Sequence, residues 1–249
     1  MNRRNFLLNT SIISLGIPAL IQQFNADKTQ QSEWTVAQGS TILFQGDSIT
    51  DGGRNKGRYY ANQAGGMGGG YVQHIVTELL GKYPEKGLRC YNRGISGHKV
   101  FQLAERWEDD CLQLKPDVLS ILIGVNDFWH TLTHNYKGTV DIYESDLRAL
   151  LDRTLKELPD VRLIVAEPFV IKGGSAIDEQ AWIPAFNAYQ KAAKKIAQDY
   201  KATFIPLQSI FDKALEKADV KYWCPDGVHP SMAGSYLMAQ AWLAALKFD

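Results

Sequence analysis

Four short segments of this 249-residue chain carry side chains able to move a proton or hold a negative charge. In Asp226-Gly-Val-His229-Pro the carboxylate and the imidazole stand three residues apart. Across a turn that spacing lets the carboxylate reach Nδ1, fix the tautomer and leave Nε2 free to take a proton from a hydroxyl. Gly46-Asp47-Ser48 supplies such a hydroxyl. Gly124-Val125-Asn126-Asp127 supplies a side-chain N–H able to donate to a developing oxyanion. In Asn92-Arg93-Gly94-Ile95-Ser96-Gly97, Gly94 lets a backbone N–H approach a ligand with no Cβ in the way, and Ser96 is a rival hydroxyl. Each segment also has a plainer reading. Asp47 and Ser48 cap turns well, Asn126 suits an Asx turn, and His229 suits a loop held by a nearby carboxylate.

The elements around these segments decide between the readings. Apolar runs at 41–44, 88–92, 118–123, 162–166 and 203–207 have the length of strands, and 118–123 is apolar enough to be covered on both faces. Between them lie stretches of helical spacing at 71–80, 100–114, 142–158, 184–200 and 231–246. Val72, Ile75, Val76 and Leu79 share one face of the first, Pro159 stops the third, and Ser231 occupies the N-cap of the last. The stretch 53–70 reads as loop, its glycines at 65–70 a mobile segment near the mouth of a site. Strand–helix alternation predicts an α/β protein, a three-layer α/β/α sandwich around a central parallel sheet of about five strands. Ligands in such sheets bind beyond the carboxyl ends of the strands. The chemically capable segments fall there.

In their order and placement, the four segments resemble the blocks of the SGNH (GDSL-type) hydrolases. The resemblance runs from about residue 41 to the C-terminus and implies a flavodoxin-like sandwich. It implies Ser48 as nucleophile with Asp226 and His229 completing a catalytic triad. It further implies an oxyanion hole from the N–H groups of Ser48 and Gly94 and the side chain of Asn126. Such chemistry proceeds through an acyl-enzyme and requires no metal or organic cofactor. Stretches 46–54, 70–74, 92–97, 104–110 and 115–129 are similar to the SGNH acetylxylan esterases, which remove O-acetyl groups from xylan or xylo-oligosaccharides. A lysophospholipase or thioesterase would use the same machinery on other acyl esters. A non-catalytic carbohydrate-binding protein on this fold would be expected to lack Ser48, Asn126 or His229. Tyr59, Trp129 and Trp223 lie near the motifs, where their rings either stack on sugars or pack into rim and core. Some relatives oligomerise, which leaves a homo-oligomer open.

Composition narrows the partners. Lys plus Arg and Asp plus Glu each number 27, no basic cluster stands out, and nucleic-acid binding is not expected. Residues 1–25 open with Arg3-Arg4 and continue into a short apolar run, resembling a twin-arginine export signal, and 26–39 is polar and reads as a linker. The expected product is one domain over 40–249, periplasmic or extracellular, with no stable membrane anchor once the signal is removed. Cys90, Cys111 and Cys224 have neither zinc-site nor disulfide-scaffold spacing, although one bridge remains open. His130 and His134 stand four apart, as zinc ligands can, but no His-Glu-x-x-His surrounds them and the segment reads as a loop with surface histidines.

Overall fold

A computed structural model describes residues 35–247. The export-signal segment 1–25 and most of the linker lie outside the described residues. Five strands form one sheet in the order β2-β1-β3-β4-β5. They are β1 (Thr41–Gly46), β2 (Arg89–Asn92), β3 (Val118–Leu122), β4 (Arg162–Ala166) and β5 (Thr203–Ile205). Every pairing is parallel, with Phe44 of β1 beside Asn92 on one side and Ser120 on the other. The expected parallel sandwich is what the chain forms.

The helices that position the site are α1 (Ser48–Asp51), α2 (Tyr71–Lys82), α3 (Val100–Glu105), α4 (Val125–Thr133), α5 (Val140–Glu157), α6 (Glu179–Asp199), α7 (Leu207–Ala214) and α8 (Met232–Ala244). Helices α2 and α8 pack together, and α5 packs against α3 and α6. Apolar residues at helical spacing explain the docking: Tyr71, Val72, Ile75, Val76 and Leu79 of α2 are all buried. The strand order reverses direction between β1 and β3, because β2 lies outside β1 while β4 and β5 extend beyond β3. Loops leaving β1 and β3 therefore diverge and open a crevice at the carboxyl edge, the position where such sheets bind ligands.

Several boundaries differ from the sequence expectation, each for a local reason. The helix expected over 100–114 breaks at Arg106, whose backbone sits at φ −114°, ψ 9° between α3 and a single turn at Trp107–Asp110. Beyond the break Trp107 is fully buried, and its indole N–H donates to Thr154 Oγ1 at 2.9 Å. Helix α6 starts before Pro184 because Asp178 caps it, accepting from the N–H groups of Gln180 and Ala181. A cap of this kind contributes about 1 kcal/mol. The strand expected over 203–207 ends at Ile205, and α7, which periodicity did not reveal, begins at Leu207. Segment 125–133 is helical, so His130 lies on α4 and not in a loop. Val36 is 0% exposed and its N–H donates to Lys247 O, so packing of the domain begins inside the expected linker. All three cysteines are free and buried. Among the described residues no helix is long and apolar enough to cross a membrane.

The last helix is fastened to the middle of the sheet by one polar contact within an apolar layer. Trp242 of α8 is 1% exposed, packs its ring 5.2 Å from Phe44, and donates its indole N–H to Ser120 Oγ on β3 at 3.0 Å. Trp242→Ala is expected to lower stability by about 3–5 kcal/mol, measured by equilibrium denaturant unfolding.

Candidate active site

The turn after β1 places Ser48 at the first position of α1. Asp47 is the N-cap, its Oδ1 accepting from the Ile49 N–H at 3.0 Å. The N–H of Ser48 thus opens a helix whose first N–H groups point out of the turn. Gly46 makes this turn possible: a Cβ there would lie 2.3 Å from Leu122 O on β3. Gly94 makes it compact, since a Cβ at that position would lie 2.3 Å from the Asp51 N of α1.

A continuous hydrogen-bonded row joins the expected triad. Ser48 Oγ lies 2.8 Å from His229 Nε2, and His229 Nδ1 lies 2.7 Å from Asp226 Oδ2. Asp226 Oδ1 accepts from the N–H groups of Val228 and His229 at 2.8 and 2.7 Å. Burial pushes the Asp226 carboxyl upward, but hydrogen bonds from the His229 ring and these backbone groups outweigh it and hold the acid at about 2. The hydrogen bond to Asp226 raises His229 above the ordinary histidine value, burial opposes the rise, and the charges of Asp226 and Asp47 assist it. A base oriented by an ionised carboxylate and facing a serine hydroxyl can deprotonate that hydroxyl.

The other oxyanion donors named from sequence follow β2 and β3 at the same edge of the sheet, each already engaged in a hydrogen bond. Gly94 follows β2, and its N–H donates to Asn92 Oδ1 at 2.9 Å in this structure. Asn126 follows β3 on the first turn of α4, and Nδ2 donates to His98 O at 3.2 Å. That bond leaves the second amide hydrogen of Asn126 available. Trp129, one turn further along α4, sets its ring 6.2 Å from the His229 ring and 5.5 Å from Trp182. Tyr59 is 62% exposed and lies against the Arg93 guanidinium, 5.5 Å from the ring centroid.

Trp223 requires a correction. It is 5% exposed, and its indole N–H donates to Ala214 O and Ala218 O. Its ring packs in the core, where a buried indole N–H needs protein acceptors, and it offers no face to a sugar. Ser96 is also set apart from the nucleophile. Its hydroxyl and N–H both donate to Asp51 Oδ2, at 2.8 and 3.0 Å, so a carboxylate and not an imidazole holds it. The glycine-rich stretch is pinned to the nucleophile's turn, with the Gly69 N–H donating to Gly52 O at 2.7 Å.

Supporting residues escaped sequence reasoning. Asn92 is buried and uses its whole amide: Nδ2 donates to Thr50 O at 2.6 Å and Met67 O at 2.8 Å, while Oδ1 holds Gly94. Arg54, also buried, donates Nε to Gly94 O at 2.8 Å. A polar residue closing an apolar strand run was the available signal for Asn92. Asp47 is fully buried with Oδ2 unpaired, and burial pushes its carboxyl up to about 7. Among the described residues no cluster of His, Cys, Asp and Glu could hold a metal ion, and the His130 and His134 rings lie 4.3 Å apart, tilted by 44°.

A doubly wound parallel sheet carrying a Ser–His–Asp row at its carboxyl edge defines a serine hydrolase. Residues 44–237 match the model of the GDSL-like Lipase/Acylhydrolase family, and the chain belongs to that family. It is similar to an acetylxylan esterase from Geobacillus stearothermophilus, with 36% identity over 86% of this chain and 97% of the relative. The crystal structure of an acetylxylan esterase from the same organism superposes with a TM-score of 0.76 at 34% identity, covering 87% of this chain and 98% of that one. A protein described as a GDSL-like lipase from Parabacteroides merdae superposes with a TM-score of 0.84 at 49% identity, covering 86% and 98%. The chain is thus a GDSL-type serine hydrolase of carboxylic esters.

Gly94→Ala tests the close approach of two backbones. A Cβ meeting main-chain atoms cannot be relieved by a rotamer change, so a loss of roughly 1–3 kcal/mol is expected, read from the melting temperature. Ester hydrolysis should fall more steeply than stability, because the displaced atoms belong to the nucleophile's turn.

Proposed function

We propose that the protein is an exported esterase that removes O-acetyl groups from carbohydrates such as acetylated xylan or xylo-oligosaccharides. The observation that carries the chemistry is the unbroken row from Ser48 Oγ through His229 to Asp226, at 2.8 and 2.7 Å. His229 takes the Ser48 proton as Oγ attacks the acetyl carbonyl, and the carbonyl electrons move onto oxygen. The N–H of Ser48 and the Asn126 side chain donate to that oxyanion. The Gly94 N–H joins them by sharing its hydrogen with Asn92 Oδ1. As the tetrahedral species collapses, the sugar hydroxyl leaves with the proton from His229 and an acetyl-enzyme remains. Water, deprotonated by the same imidazole, then releases acetate and restores Ser48.

Support for the substrate comes from the acetylxylan esterases that this chain resembles over most of its length. Trp129 beside His229 and exposed Tyr59 offer rings of the kind on which sugars stack. Support for export comes from Arg3-Arg4 and the apolar run that follows them.

Ser48→Ala is expected to abolish acetate release from acetylated xylo-oligosaccharides, measured beside short- and long-chain p-nitrophenyl esters. Faster turnover of the long-chain esters would instead mark a lipid or thioester substrate, and activity independent of Ser48 would end the mechanism. Asn126→Ala is expected to lower kcat by roughly 10²–10³ while the protein stays folded.

The pH profile has a defined sign. His229 must be neutral to act as base, and its partner raises it above the ordinary value of 6.5. The acid limb of kcat/KM should therefore have its midpoint above 6.5, with activity increasing as pH rises through it. Asp226→Asn removes the leading cause of the rise, so the limb should move to lower pH as kcat falls by about 10⁴.

A further inference from the structure

The turn that carries the acid and the base is gripped by a segment with no chemistry of its own. Segment 171–177 follows β4 and reads Ile-Lys-Gly-Gly-Ser-Ala-Ile, and ester cleavage uses none of its side chains. Yet three successive carbonyls of the catalytic turn accept from it. Pro225 O takes the Ser175 N–H at 3.1 Å, Asp226 O the Ala176 N–H at 3.0 Å, and Gly227 O the Ile171 N–H at 2.8 Å. The segment is also folded on itself, the Gly174 N–H donating to Ile171 O at 3.3 Å and the Ile177 N–H to Gly174 O at 3.0 Å. Its root is fixed, because Phe169, Val170 and Ile171 are buried.

Two glycines make the grip close. Gly174 is buried, and a Cβ on it would lie 2.2 Å from Gly227 N, 2.3 Å from Gly227 Cα and 2.4 Å from Asp226 C. Its φ is not positive, so space and not conformation requires a glycine there. Opposite it, Gly227 stands at φ +88°, and a Cβ there would meet Ile177 Cγ1 at 2.4 Å and Ile171 O at 2.7 Å. Main chain thus lies directly on main chain. The same connection reaches the base by a second route. Trp182, near the start of α6, is 2% exposed and packs 5.5 Å from Trp129, whose ring stands 6.2 Å from that of His229.

We propose that Gly174 is a positioning residue for the acid and the base: its bare backbone lets segment 171–177 hold the 225–227 main chain where Asp226 Oδ2 meets His229 Nδ1. The proposal rests on His229 acting as the base in the mechanism above. Asp226 is the lever. Its main-chain carbonyl is tied to Ala176, its Oδ1 to the N–H groups of Val228 and His229, and its Oδ2 to the imidazole. Bringing contacts of 2.2–2.4 Å out to an ordinary 3.4 Å would force the two backbones apart by about 1 Å. A misplacement of that size costs a catalytic arrangement roughly 10²-fold in rate. A glycine that served only to pack two loops would change the melting temperature and leave the imidazole titrating where it does.

Gly174→Ala is tested in protein that circular dichroism shows to be folded. The His229 ring is titrated by NMR with isotope-labelled histidine, its signal assigned by its loss in His229→Gln, and kcat/KM for p-nitrophenyl acetate is followed across pH. The hydrogen bond to Asp226 is the leading cause that holds His229 above its ordinary value. Both the NMR midpoint and the acid limb of kcat/KM are therefore expected to move to lower pH in Gly174→Ala, with the plateau reduced by roughly 10²-fold. A folded Gly174→Ala whose His229 titrates as in the parent overturns the proposal, whatever its rate, and so does an undiminished plateau. If that variant does not fold, Ile177→Ala removes the side chain lying over Gly227. It is expected to move the midpoint the same way and to lower kcat/KM, and a parent-like titration there overturns the proposal instead. An unmutated protein that hydrolyses no ester would end the mechanism, while the His229 titration would still decide whether Gly174 holds Asp226 against the imidazole.

Discussion

The site depends on one buried amide. Asn92, at the end of β2, ties the carbonyls of Thr50 and Met67 and the N–H of Gly94 to a single side chain. These groups come from the nucleophile's helix, from the glycine-rich stretch and from the segment following β2. None of them belongs to the sheet ladder, and without Asn92 each would be a backbone polar group seeking a partner in a buried place. Satisfying all of them at once fixes how closely the turn after β1 approaches Gly94. That approach is so close that Gly94 has no room for a Cβ. The geometry of the serine is thus set from beneath, by backbone contacts that no rotamer change can loosen.

The imidazole is set from the other side of the crevice. The loop between the single turn Val220–Trp223 and α8 is held at both ends: the Ser231 N–H and hydroxyl donate to the carbonyls of Trp223 and Tyr222, and Trp223 is itself anchored through its indole N–H. Within that loop Asp226 accepts from two backbone N–H groups as well as from the ring it orients. A carboxylate with its lone pairs so engaged stays ionised, and an ionised carboxylate keeps the imidazole proton on Nδ1. Serine and base are therefore positioned by separate loops joined across the 2.8 Å contact between them.

Buried carboxyls around the crevice carry a different electrostatic character. Asp47 and Asp127 each cap or hold a backbone N–H through one oxygen and leave the other unpaired. Burial pushes both up to about 7, so neither is a full negative charge near neutral pH. Repulsion from Asp47 toward a developing oxyanion is reduced accordingly. The crevice thus combines acids held in their ionised form, Asp226 and Asp51, with two others, Asp47 and Asp127, whose charge is muted by burial.

Much of this was legible along the chain, because chain-local chemistry is what short motifs encode. The strand at 118–122, the helix face of Val72, Ile75, Val76 and Leu79, and the placement of Ser48, Gly94 and Asn126 just beyond strands follow from periodicity and order, whereas Asp226 and His229 follow two helices that come after β5. Elements whose form depends on a distant partner were not legible. The break at Arg106 answers to Thr154, which receives the Trp107 indole N–H, and the α6 start ahead of Pro184 answers to a cap that outweighs the proline. Trp223 read as a possible sugar platform because its neighbours in sequence are site residues, yet a ring's exposure is decided by what packs on it from elsewhere. The same holds for Asn92, whose partners lie 42 and 25 residues away. The sequence by itself determined which groups are able to do the chemistry and on which edge of a parallel sheet they stand, since residue type and the strand period need no long-range contact. Only the tertiary structure decided which polar groups are buried, paired or left with an unbalanced charge, because solvation and electrostatics belong to neighbours brought together by folding.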